Sequence, residues 1–120
     1  MALLTARGEL GDGRNLVSGF HLPTIDRVHE LAPGLATGWL LGFVDDMAPL
    51  VDKAAEHGHV AVHPHHVFVN EDLVERAHAA GLAVNTWTCD DPERIRWLAD
   101  LGVDAVITNE PDVALAALGR

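Results

Sequence analysis

Five short apolar stretches recur along the chain at intervals of roughly 20 to 25 residues, the length of one strand–helix unit. They are NLVSGF (15–20), ATGWLL (36–41), HVAVH (59–63), LAVNTW (82–87) and DAVIT (104–108). Between them lie segments with helical marks. In PTIDRVHELAP, Ile25, Val28 and Leu31 fall on one face and Pro33 ends the run. DDMAPLVDKAAEHG offers Asp45 or Asp46 as a cap and Gly58 as a stop, and NEDLVERAHAAG runs from an Asn70 cap to Gly81. DDPERIRWLADLG starts at Asp90 or Asp91 with Pro92 in the first turn, and PDVALAALGR repeats the Pro-first start. The apolar stretches hardly alternate, as expected of parallel strands covered on both faces. The fold class is therefore α/β, built from repeated β-α units with parallel strands. A complete (β/α)₈ barrel needs about 250 residues. A chain of 120 residues with five strands is expected to be a single partial domain, an incomplete barrel or an open sheet.

Composition narrows the partners. A formal net charge of −10 argues against nucleic acid or an anionic membrane surface, since both need a basic footprint. The one cysteine, Cys89, rules out an internal disulfide framework and fits a reducing compartment. No apolar stretch approaches the length of a membrane span, and MALLTARGEL lacks a signal-peptide pattern, so a cytoplasmic protein is expected.

Several motifs in order resemble the C-terminal half of the glycerophosphodiester phosphodiesterase family. They are Ser18-Gly19-Phe20 at one strand end, Trp39-Leu40-Leu41, His63-Pro64, Trp87-Thr88 after the helix end His78-Ala79-Ala80-Gly81, and the closing Gly102-Val103-Asp104 with Thr108-Asn109-Glu110-Pro111. The similarity covers nearly the whole chain from Asn15 onward, with Asn109 standing where the family has Asp. It implies a metal-dependent hydrolase that splits a glycerophosphodiester into glycerol 3-phosphate and an alcohol. One His serves as nucleophile or base, a second protonates the leaving alcohol, and Mg²⁺ or Ca²⁺ neutralises the phosphate. The family's His-Arg-Gly, Glu-x-Asp and second His belong to its N-terminal half and have no matching positions here. Ala6-Arg7-Gly8 lacks the His and reads as a decoy. The resemblance thus leaves this chain with no catalytic residue, no metal ligand and no cofactor of its own.

What remains is a substrate wall at successive strand ends: Ser18, Phe20, His63, Trp87 and Asn109. In the resembled family an aromatic at the position of Trp87 packs on the glycerol moiety. The plainer reading of Trp87 is an indole sealed between strand and helix. Facing decides between them: Ala83, Asn85 and Trp87 share one side of their strand, and Leu82, Val84 and Thr86 the other. Leu82 and Val84 suit the helix layer, which turns Asn85 and Trp87 to the barrel interior.

Other constellations compete. His57, His59, His63, His65 and His66 crowd one stretch, and His63 and His65 flank Pro64 on the same side of an extended segment, where both imidazoles could meet one ion. No carboxylate lies within five residues of His63 or His65. Ser18 has no Gly-x-Ser-x-Gly elbow, Cys89 has no recognisable His partner, and the pairs Asp45-Asp46 and Asp90-Asp91 stand at helix starts as caps. Two other functions stay open: a non-catalytic α/β module that binds a small phosphorylated or polyol ligand, and a metal-dependent hydrolase using the histidines. Open strand edges at 15–20 and 104–108 predict a homo-oligomer.

Overall fold

The structure, a computed structural model, describes residues 2–5 and 15–120. The Ala6-Arg7-Gly8 decoy lies outside the described residues. Strands and helices alternate as β1 (Ala2–Thr5), β2 (Leu16–Gly19), α1 (Leu22–Leu31), β3 (Ala36–Leu40), α2 (Ala48–Glu56), β4 (Ala61–His63), α3 (Glu71–Ala79), β5 (Ala83–Thr86), α4 (Pro92–Leu101), β6 (Ala105–Thr108) and α5 (Pro111–Ala117). A 3₁₀ turn at His66–Phe68 separates β4 from α3. The strands form one sheet in the order β1-β6-β5-β4-β3-β2. The five strands β2 to β6 are parallel, each beside its successor, and curl into half of a barrel.

One edge differs from expectation. Residues 2–5 form an antiparallel strand along β6, with Leu3 opposite Ile107 and Leu4 opposite Val106. The edge at 104–108 is therefore paired, not open. The signal was too weak to see, because four residues are too few to carry a periodicity.

Helix boundaries follow their caps. Asn70 accepts from the Leu73 N–H at 2.8 Å and Asp91 from the Arg94 N–H at 3.2 Å. Gly102 closes α4 at φ +98°, a left-handed conformation that a side chain would strain. Asp46 accepts from the Ala48 N–H at 3.1 Å, although Met47 occupies the cap position itself. Asp90 departs from its expected role: its carboxylate takes the Thr108 hydroxyl at 2.6 Å and the Asn109 N–H at 2.8 Å, so it fastens the exit of β6 and not the start of α4.

The core lies between the sheet and its helices. Val62, Val84 and Val106, one from each central strand, are fully buried against Val51, Val74, Ile95 and Leu98 of the helices. Asp104 ties the layers together, accepting from the Val84 N–H at 2.8 Å and bonding His78 Nε2 of α3 at 2.7 Å. With Val84 on the helix side, period-two alternation turns Ala83 and Asn85 to the barrel interior.

Candidate functional site at the strand ends

The interior face of the central strands is narrow and polar. Gly38, Ala61, His63 and Asn85 converge there. A β-carbon on Gly38 would stand 2.7 Å from His63 Nε2, so the glycine makes the space that the imidazole fills. The Asn85 Nδ2 amide donates to His63 Nε2 at 3.0 Å, and both side chains are buried. His63 Nδ1 and Asn85 Oδ1 have no partner among the described residues. Burial pushes the His63 imidazole down from 6.5 to about 4, because a charged ring there would lose its hydration. At neutral pH it is an uncharged ring set to exchange hydrogen bonds.

Above this layer stands an aromatic rim. The Trp87 indole N–H donates to the His63 carbonyl at 2.7 Å, fixing the half-buried ring beside the end of β4. Phe20, at the end of β2 and 57% exposed, meets Trp87 edge-on with centroids 5.9 Å apart. Trp39 donates to the Phe20 carbonyl at 2.8 Å and holds that loop in place. His65 stands edge-on to Trp87 at 4.8 Å and stacks on His66 at 4.6 Å. Burial lowers both imidazoles, and for His66 the His65 and Arg94 charges add to the effect.

The five residues expected to form the wall separate into groups. Phe20, His63 and Trp87 come together through direct contacts. Ser18 is exposed on β2, two residues before Phe20. Asn109 is exposed at the end of β6 and bound to Asp90 through its backbone. Asp90 is held below the usual carboxylate range by the Thr108 hydroxyl and then by Asn109. His65 joins the rim although sequence reasoning gave it no part in the wall, and Trp39, packed against the core on the helix side, braces the rim through the Phe20 carbonyl. Trp39 was visible in sequence only as part of the Trp39-Leu40-Leu41 motif, and His65 only as a candidate partner of His63 on an ion.

The proposed pairing of His63 with His65 on one ion does not form. His63 turns inward to Asn85, while His65 Nδ1 accepts from the Val67 N–H at 3.3 Å. Cys89 is buried, and burial raises its thiol, which leaves it a protonated packing group. Trp97, the contrasting indole, lies 41% exposed on α4 under the Arg94 guanidinium, 4.0 Å from the ring centroid.

Parallel strands curled into half a barrel, with a polar interior and an aromatic rim at their carboxyl ends, define a piece of a (β/α) barrel, a fold whose enzymes carry their sites at that end. The chain belongs to the glycerophosphoryl diester phosphodiesterase family, whose model matches residues 2–113. It is 30% identical over 104 residues to a glycerophosphodiester phosphodiesterase of Bacillus subtilis (strain 168), covering 84% of this chain and 35% of that protein. Among solved structures, a Silicibacter pomeroyi DSS-3 protein assigned as a glycerophosphoryl diester phosphodiesterase superposes with a TM-score of 0.77 at 29% identity, covering 88% of this chain and 38% of that one. A phosphodiesterase from Oleispira antarctica, solved with the product sn-glycerol-3-phosphate, shares the fold with a TM-score of 0.78 at 23% identity, covering 88% of this chain and 42% of that one. The chain thus spans between a third and a half of the length of these relatives.

The family is generally dependent on a divalent cation. The rim does not suit Mg²⁺ or Ca²⁺, which take oxygen ligands: Asp90 is committed to Thr108 and Asn109, and the rest of the rim is aromatic rings and imidazoles. Among the described residues, the one cluster of three or more groups spaced for an ion is Asp26, His57 and His59, beside the amino end of β4. No helix among the described residues is long and apolar enough to cross a membrane.

Proposed function

We propose that this chain is the substrate-binding half of a glycerophosphodiester phosphodiesterase, with Ser18, Phe20, His63, Trp87 and Asn109 as its wall. The observation that carries this reading is the Phe20–Trp87–His63 contact set at the carboxyl ends of β2, β5 and β4. Phe20 and Trp87 give apolar faces for a glycerol backbone. His63 Nδ1 and Asn85 Oδ1, buried and without partners among the described residues, offer a donor and an acceptor for hydroxyls or for groups of the first barrel strands. The acid, the base and the cation carboxylates come from those first strands, so the reading assigns no proton transfer to this chain. The domain is a single partial one over residues 1–120. It self-associates through β2, whose outer edge is unpaired among the described strands. Light scattering is expected to give a dimer or larger assembly, and a monodisperse monomer contradicts that part.

The three tryptophans supply the test of the wall. Glycerol 3-phosphate titrated into the ¹⁵N-labelled chain should shift the indole signal of Trp87 while that of Trp97 stays fixed. No shift at Trp87, or equal shifts at all three, overturns the binding role.

A further inference from the structure

At the opposite end of the strands, a second polar cluster takes no part in the wall. Asp26 of α1 lies between two histidines of the α2–β4 connection: its Oδ1 is 2.7 Å from His59 Nε2 and its Oδ2 is 2.9 Å from His57 Nδ1. We propose that Asp26, His57 and His59 form a Zn²⁺ site with three protein ligands and a water-accessible fourth position.

The donor set is right for zinc, which takes imidazole nitrogen and carboxylate oxygen in tetrahedral geometry. One ligand atom from each residue lies within 4.8 Å of the other two. Tetrahedral zinc at about 2.1 Å from each ligand sets ligand atoms about 3.4 Å apart. The present hydrogen bonds, 2.7 Å to one Asp26 oxygen and 2.9 Å to the other, therefore need to open by about 0.5–0.7 Å as both nitrogens and one oxygen gather on the ion. His57 can supply that movement, because its side chain is 34% exposed, while that of His59 is sealed at 0%.

His59 has the outer partner that ligating histidines use. Its Nδ1 lies 2.7 Å from the Thr37 hydroxyl. A hydroxyl donates or accepts as required. Without metal, the Thr37 hydroxyl donates to Nδ1 while Nε2–H donates to Asp26. With metal bound, the proton resides on Nδ1 and Thr37 accepts it, which frees the Nε2 lone pair for zinc.

Access comes from the solvent side, where the Asp26 and His57 side chains are 29% and 34% exposed; a cleft of about 250 Å³ bordered by His29, Thr37 and Gly58 lies beside the cluster without being lined by its three ligands. His29, one turn beyond Asp26 on α1, stands edge-on to His59 with ring centroids 5.8 Å apart and walls the site. Gly58 permits this approach: at φ +83° it carries no side chain, and a β-carbon would lie 2.9 Å from His29 Nε2. Sequence spacing hides the site, since Asp26 stands 31 and 33 residues from its partners.

The experiment titrates Zn²⁺ into the chelator-treated 120-residue chain by calorimetry, with Co²⁺ absorption as a second readout. The expected result is one ion per chain and the visible bands of four- or five-coordinate Co²⁺. Asp26→Asn and His57→Gln should each weaken binding by more than about tenfold, and His65→Gln, at the rim, should leave it unchanged. His57 is partly exposed, so His57→Gln keeps the test open if Asp26→Asn does not fold. Absence of the Co²⁺ bands, binding unaffected by both ligand variants, or binding lost in His65→Gln overturns the site. None of these outcomes bears on the glycerol 3-phosphate titration, which reads the other end of the barrel.

Discussion

The indole N–H of Trp87 reaches across one strand to the carbonyl of His63, 2.7 Å away, and this bond orients the rim. It fixes the ring so that Phe20 meets it at 83°. Trp87→Phe keeps an aromatic surface but leaves that carbonyl short of a donor. A loss of about 1–2 kcal/mol is expected in urea unfolding, the scale of one hydrogen bond at a partly buried group. A cost of 3–5 kcal/mol, as for a sealed core aromatic, would place the indole in the core instead.

Gly38 tests the layer beneath. An added methyl would meet His63 Nε2 at 2.7 Å, and the ring is confined by Asn85. Gly38→Ala is expected to destabilise by about 1–3 kcal/mol through overpacking. It should also displace the His63 ring signals in an NMR spectrum. Wild-type stability with unmoved His63 signals contradicts this arrangement.

His63 also sets a pH dependence. Its folded value of about 4 lies below the ordinary 6.5, so between those limits the unfolded chain binds the proton that the folded chain refuses. Stability contributed by the neutral ring is complete above about pH 6.5 and is lost as pH falls toward 4, on the order of 3 kcal/mol in all. His63→Gln should flatten this slope in denaturant melts across that window. An unchanged slope means the ring titrates normally.

Two caps can be checked on separate helices. Asn70→Ala and Asp91→Ala each remove an acceptor for a first-turn N–H, and each is expected to cost about 1 kcal/mol by thermal or urea unfolding. Asp90→Ala acts elsewhere, loosening the Thr108–Asn109 exit. Hydrogen exchange of the Asn109 amide should accelerate while α4 amides keep their protection.

The strand–helix alternation was legible because buried parallel strands read as short apolar runs, and because Asn70, Asp91 and Gly102 act locally through their own neighbours. The side of β5 was legible too: Val84 and Asn85 differ in polarity, and a strand must divide them between two faces. What escaped was contact across the sheet. The carboxylate that meets His57 and His59 is not their sequence neighbour Glu56 but Asp26, which arrives from a different helix. Asp90 reads like a cap until β6 lies beside it. His65 reads as one half of a pair with His63 until Asn85 engages the His63 ring and the Val67 N–H engages that of His65. These contacts depend on how elements dock, which local pattern does not encode.

Release of glycerol 3-phosphate from glycerophosphocholine by the purified 120-residue chain, with Mg²⁺ or Ca²⁺ supplied, addresses the assignment of this chain as wall without catalytic machinery. No release above buffer is the expected result. Turnover that is abolished by His63→Ala would contradict it, because the reacting groups would then reside in this half.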